Sequence, residues 1–359
     1  MTAALIRPLP PVAPQEAGFA PDLAARFGAG IRSGLLHSLH AVVVVRAGRL
    51  VLEHYEEAAD ECWGRPLGRV SFGPDVLHDL RSVTKSVVSL LYGIALARGL
   101  VPPPDAPLLA AFPDYGDLAA DPARAAWTVR HALTMTLGIE WDEERPYTDP
   151  LNSEIAMELA DDRFRFVLSR PIVDAPGARW VYCGGASALI GALIARGTGR
   201  SLPDFAREVL FEPAGLGAFE WSCGTDGTPS AASGLRLTPH GLARLGALLA
   251  GGGSLAGRQI VPADWLAASF RPAVSTGDGL DYGLQWWLGE GPVGPDPGPG
   301  VARPGERWAA GFGNGGQRLF LLPSRELAVT IFSSRYNAFD AWITPTRIWR
   351  EIVLANLLA

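Results

Sequence analysis

Lysine is nearly missing from this chain of 359 residues: Lys85 is its one lysine, and every other basic residue is arginine. Arginine stays protonated, whereas a lysine amine can be desolvated and give up its proton, so a lone lysine among arginines points to chemistry rather than ordinary charge. Cysteine is scarce too. Cys62, Cys183 and Cys223 are odd in number, far apart and without CxxC spacing, which argues against a disulfide framework or a zinc knuckle and predicts a reducing compartment. There is no basic excess: 31 Lys and Arg against 37 Asp and Glu give a net charge of −6, so neither nucleic acid nor an anionic membrane is an expected partner. The longest apolar runs, 86–97 and 182–195, fall short of the roughly 18 residues that a membrane span needs and predict buried helices. Pro8, Pro10 and Pro11 interrupt the first residues before any apolar stretch forms, so no signal peptide is predicted and a cytoplasmic location is expected. G-x-S-x-G is also missing, which removes the nucleophile elbow of an α/β-hydrolase.

What is present has two periodicities. Leu23, Phe27, Ile31 and Leu35 mark a helix within 21–36. Two β-branched runs about Gly48, within 41–53, read as a hairpin. Residues 79–99 form a long apolar helical stretch, ended by Gly99 and Pro102 to Pro104. Helical patterns follow at 130–137, 152–167, 186–196 and 202–210. Strand patterns return at 282–288, 317–322 and 326–332, before a last helical run at 344–358. The Pro- and Gly-dense segment 289–305 reads as a loop. The fold class is therefore α/β, with residues 1–75 and 235–359 forming a sheet lobe flanked by terminal helices and 76–234 an inserted, mainly helical lobe.

Ser82-Val83-Thr84-Lys85 has the form S-x-x-K at the head of the buried helix. Three residues of helix turn about 300°, so Ser82 and Lys85 share a face, a nucleophile beside a candidate base. The free N–H groups and positive dipole end of the helix suit a developing oxyanion. The competing reading, an N-cap serine followed by a solvated lysine, leaves the lone lysine without a reason.

Leu80-Arg81-Ser82-Val83-Thr84-Lys85-Ser86 resembles the active-site motif of the penicillin-recognising serine hydrolases, above all the class C β-lactamase-like esterases and the 6-aminohexanoate-dimer hydrolases. Further landmarks run in the same order: Glu53-His54-Tyr55, the stretch 128–138, and Leu235-Arg236-Leu237-Thr238-Pro239. Trp180-Val181-Tyr182-Cys183-Gly184 resembles the Tyr-x-Asn motif, with Gly184 where Asn is common. The resemblance implies that Tyr182 is the base or its proton relay. It places Trp308 of Trp308-Ala309-Ala310-Gly311 where the family often has a cation, and the N–H of Gly311 in the oxyanion hole with that of Ser82. Tyr147 resembles a loop tyrosine that closes over substrate.

The resemblance thus implies a β-lactamase/transpeptidase-like fold and acyl transfer through a covalent ester on Ser82, with Lys85 and Tyr182 sharing the proton, a small-molecule ester or amide substrate, no cofactor and no metal. Trp308 in place of a cation favours a carboxylesterase. An amide or peptide hydrolase is the alternative, supported by Tyr147. A noncatalytic binding or assembly protein is a third reading, opposed by the intact Ser82, Lys85 and Tyr182. The oligomeric state stays open.

Other motifs point elsewhere and are weaker. Gly311-Phe312-Gly313-Asn314-Gly315-Gly316 fits G-x-G-x-x-G, but strand-like residues follow it where a dinucleotide site needs a helix. The acidic group Glu140, Asp142, Glu143 and Glu144 reads as a solvated loop. His37 and His40, with no third ligand in spacing, read as surface residues.

Overall fold

The computed structural model describes residues 9–296, 298 and 305–358. Eight antiparallel strands form the central sheet, in the spatial order Val274–Ser275, Asp281–Tyr282, Trp287–Pro292, Gly305–Gly313, Gln317–Leu322, Leu327–Ser333, Leu39–Arg46 and Arg49–Tyr55. The two ends of the chain meet where Leu39–Arg46 pairs with Leu327–Ser333. Leu39–Arg46 is buried almost throughout, as its unbroken apolar run requires when both faces of a sheet are covered.

One face packs against Leu23 and Phe27 of the helix Leu23–Arg32 and against Trp349 and Val353 near the C-terminus; these close over Val42, Val44, Phe320 and Val329. The other face receives the helices Pro239–Ala250 and Val83–Ala97. Gly246 allows the close approach of the first: a Cβ there would lie 2.8 Å from that of Ala328. Val83–Ala97 packs in turn on the helix Gly184–Thr198. Leu90, Leu91, Leu189, Ile190 and Leu193 belong to this apolar core, so the two greasy runs of the sequence bury each other.

Several elements depart from the expected boundaries. His78–Asp79 is a short strand paired with Leu235–Leu237 rather than helix, and the helix begins only after it. The expected helix 152–167 is two, Ser153–Glu158 and Arg163–Leu168, because Asp162 caps the second. The strand expected at 282–288 is broken between Tyr282 and Trp287, where Gln285 adopts φ 66°. Gly289–Pro292 are strand, paired with Gly305–Trp308; the expected loop is confined to what lies between, and 297 and 299–304 of it lie outside the described residues. At the C-terminus, the helical turns of Ile343–Arg347 continue as wider and then tighter turns to Asn356. No described helix is long and apolar enough to cross a membrane.

Candidate active site

The chain reaches Ser82 through the strand His78–Asp79 and then Arg81, whose φ of 49° lies in the left-handed region that non-glycine residues rarely adopt. Glu61 and Asp79 both hold the Arg81 guanidinium. Ser82 follows as the N-cap of Val83–Ala97, its side chain making no cap hydrogen bond, while the N–H groups of Val83, Thr84 and Lys85 donate to the carbonyls of Leu80, Arg81 and Ser82. Lys85 lies one turn on, as the spacing predicts. Its Nζ donates to Ser82 Oγ at 2.9 Å, to the Ala232 carbonyl at 3.0 Å and to Glu154 Oε2 at 3.1 Å.

These contacts use all three donors of an ammonium group. Burial is the largest single influence and would depress the Lys85 pKa, but Glu154, Tyr182 and Glu143 together outweigh it and hold the pKa above its ordinary value. The counterion buried with Lys85 thus favours its charged form.

Glu154 and Glu143 had no role in the sequence reading. Asn152 caps the helix Ser153–Glu158 by accepting from the N–H groups of Glu154 and Ile155, which sets Glu154 against Lys85. Glu143, expected in a solvated loop, turns inward instead. Its Oε1 accepts from the Gly184 N–H and, at 2.5 Å, from Trp141 Nε1, and its Oε2 accepts from the Tyr147 hydroxyl at 3.0 Å. Burial, then repulsion from Glu154, pushes Glu143 up to about 8. Glu154 is equally buried, yet Lys85 holds it below the ordinary range. One carboxyl is protonated and its neighbour ionised at neutral pH, the arrangement that two adjoining carboxyl groups adopt beside a single cation.

The same pair accounts for Gly184. A Cβ there would lie 2.4 Å from Glu154 Oε2 and 3.0 Å from Glu143 Oε1. The space that an Asn side chain would enter is filled by two carboxyl groups from elsewhere in the chain.

Tyr182, 100 residues from Ser82 in sequence, is brought beside it: the two hydroxyls are hydrogen-bond partners, and Lys85 Nζ lies 4.9 Å from the ring centroid. Burial raises the Tyr182 pKa, and Lys85 opposes that rise. A cleft of about 420 Å³ opens over Ser82, lined by Trp63, Arg81, Tyr147 and Glu154 among others. A second hollow of about 410 Å³ adjoins it at Ser82 and Tyr147 and extends to Tyr182, Trp287, Phe312 and Arg318. Tyr147 thus stands at both. Arg318 was not foreseen. Its Nη1 donates to the carbonyls of Gly313 and Gln317 at 3.0 and 2.8 Å, and burial pulls the guanidinium down to about 10, which leaves it charged at neutral pH.

Two expected residues are not at the site. Trp308 is buried on the far face of the sheet with Ala310 and Phe320. Gly311 lies under the nucleophile helix, where a Cβ would meet Val83 Cγ1 at 3.0 Å and Ser86 Oγ at 3.1 Å. The reason is strand alternation: in Gly305–Gly313 the residues 309, 311 and 313 face the helix, and 308 and 310 the opposite side. The part of this strand that lines the cleft is its exit, Phe312 to Gly315.

The sequence profile of the family Beta-lactamase matches residues 37–350. Esterase EstB of Burkholderia gladioli is 30% identical over 223 residues, 60% of this chain and 55% of its own. Monacolin J acid methylbutanoyltransferase of Aspergillus terreus (strain NIH 2624 / FGSC A1156) is 29% identical over 169 residues, 44% of this chain and 40% of its own. The matches therefore span about half the length of these relatives. Among solved structures, a protein from Bacillus anthracis named for 6-aminohexanoate-dimer hydrolysis superposes with a TM-score of 0.71 at 18% identity, covering 97% of this chain and 87% of that one. EstCE1, a hydrolase with promiscuous acyltransferase activity, gives 0.71 at 16% identity, covering 93% and 99%. With the profile matched across most of its length and the fold shared with these structures, the chain belongs to the Beta-lactamase family.

Proposed function

We propose that the protein is a serine hydrolase that cleaves carboxylic esters through an acyl-enzyme on Ser82. The observation that carries this reading is the contact of 2.9 Å between Lys85 Nζ and Ser82 Oγ at the floor of an open cleft. With Lys85 as an ammonium, Tyr182 acts as the base in its phenolate form: the phenol first loses its proton to solvent, the Lys85 charge stabilises the phenolate so formed, and the phenolate then takes the Ser82 proton as Oγ attacks. Ser82 Oγ attacks the ester carbonyl, and the oxyanion is held by the Ser82 N–H together with a backbone N–H of the strand exit that lines the cleft, Gly313 to Gly315. Tyr182 returns its proton to the departing alkoxide. Water then attacks the acyl group by the same route and releases the acid and Ser82.

Ester substrates are favoured by the likeness to EstB and by the missing Asn at Gly184; Trp308, buried away from the cleft, carries no weight in this choice. A second reading, amide or carboxylate-bearing substrates, has one observation of its own: the Arg318 cation lines the hollow beside Tyr182. A hydrolysis panel of short- and long-chain p-nitrophenyl esters, nitrocefin, a D-Ala-D-Ala peptide and a linear aminohexanoate amide separates the two. Highest kcat/KM on a short-chain ester agrees with the proposal. Turnover of nitrocefin or the linear amide at or above the best ester would replace it with the second reading.

A further inference from the structure

Outside the active site, three residues distant in sequence converge in the core. His40 comes from the strand Leu39–Arg46, Asp60 from the hairpin strand Glu57–Cys62, and His78 from the short strand leading to Ser82. All three side chains are wholly buried. His40 Nδ1 lies 2.7 Å from His78 Nε2, and Asp60 Oδ1 lies 3.7 and 3.6 Å from those two nitrogens. The Tyr336 hydroxyl closes the group, 3.0 Å from Asp60 Oδ1 and 3.5 Å from His78 Nε2.

Hydrogen bonding within the protein does not satisfy this cluster. His78 Nδ1 is 2.9 Å from the Asp79 carbonyl, so it carries the proton and Nε2 presents a lone pair. If His40 is protonated at Nδ1, it satisfies His78 but leaves its own Nε2 as a bare, buried lone pair with no donor among the described residues, facing the Ala59 backbone instead. If it is protonated at Nε2, two lone pairs confront each other at 2.7 Å. In either case Asp60 Oδ2 is buried without a partner, and the two imidazoles are its ion-pair partners among the described residues. A buried carboxylate without a compensating cation is costly. One remedy is a proton on an imidazole.

The geometry suggests another. Three atoms with separations of 2.7, 3.6 and 3.7 Å lie on a circle of radius about 2.0 Å, so one point stands at the bonding distance of zinc, about 2.0 to 2.2 Å, from all three. The Nδ1 contact of His78 with a backbone carbonyl is the outer hydrogen bond that orients a metal-bound imidazole. We propose that His40, Asp60 and His78, with the Tyr336 oxygen as fourth donor, form a closed structural site for a divalent transition ion, best matched by zinc. Such an ion would tie the approach to Ser82, four residues beyond His78, to the segment after Tyr336, where Asn337 lines the cleft. The expectation of a metal-free protein came from the family resemblance, and ligand spacing along the chain, which was read only locally, cannot reveal ligands gathered from 40, 60 and 78.

The test uses the full chain, refolded from denaturant with zinc chloride or with EDTA. Elemental analysis is expected to find about one zinc per chain after zinc refolding, with a lower Tm for the EDTA-refolded protein. Cobalt in place of zinc should give the visible d–d bands of a tetrahedral nitrogen and oxygen site. Asp60→Asn should reduce zinc affinity at least about tenfold; if it does not fold, Tyr336→Phe should still shift the cobalt bands. Absence of zinc in the refolded wild type with identical Tm in EDTA would overturn the proposal. So would undiminished zinc in folded Asp60→Asn, or cobalt bands unmoved by Tyr336→Phe.

Discussion

Two groups of buried ionisable side chains lie within a few residues of each other, and they balance their charge in opposite ways. Around Ser82 the partners are complete: the Lys85 ammonium has three acceptors, Glu154 has its cation, and Glu143 accepts from Gly184, Trp141 and Tyr147. Around His78 they are incomplete: among the described residues, Asp60 Oδ2 and His40 Nε2 lack a well-formed hydrogen bond. The difference teaches where each cluster gets its charge. The first carries its own cation and can use it for proton transfer; the second needs one from outside and is left with a purely structural task.

The comparison breaks most visibly at Lys85. Lys85→Met leaves Glu154 buried without its cation, and breaking a buried pair in this way costs about 3 to 5 kcal/mol. It should also lower kcat/KM by about 10³. Adding Glu154→Gln should restore stability in urea titrations without restoring turnover. A double variant as unstable as the single one would show that the site is not a balanced pair. Tyr182→Phe removes the proton acceptor alone and should cost about 10² to 10⁴ in kcat/KM. Its Tm should stay near that of the wild type, and near-normal turnover would return the base to Lys85.

Gly184→Ala tests the packing of the carboxyl pair. The added methyl meets Glu154 Oε2 at 2.4 Å, and such overpacking costs about 1 to 3 kcal/mol. Because Glu154→Ala itself breaks the buried pair with Lys85, relief shows only as coupling: Gly184→Ala should cost less in the Glu154→Ala background than in the wild type, as read from a double-mutant cycle on urea midpoints. The smallest effect is in pH. The folded pKa of Glu143 is raised from the ordinary 4.5 to about 8, so between these values the folded protein binds a proton that the unfolded chain releases. Its contribution to stability is complete below about 4.5 and is lost as pH rises to about 8. Tm should decline across that window, and Glu143→Gln should flatten the decline.

The helix that carries Ser82 and Lys85 was legible because three residues of helix turn is a local rule. The hairpin at 41–53 and the central strands were legible from apolar runs. Trp308 was not, because its face depends on the register of a strand whose start the Pro- and Gly-rich segment obscures. Glu143, Glu154 and Arg318 reach the site from separate elements, and local spacing carries no sign of that. His40 did leave a signal that the i, i+3 reading with His37 passed over: it is a lone polar ring at the head of the apolar run 41–45, and a histidine in a strand buried on both faces needs a partner inside.

The most direct test of the central claim is covalent trapping. Wild-type protein treated with a fluorophosphonate, then digested and mapped by mass spectrometry, should carry one adduct on Ser82. Ser82→Ala should keep its Tm, take up no label and show no ester turnover. An adduct on any other serine, or ester hydrolysis that survives in Ser82→Ala, would contradict the account.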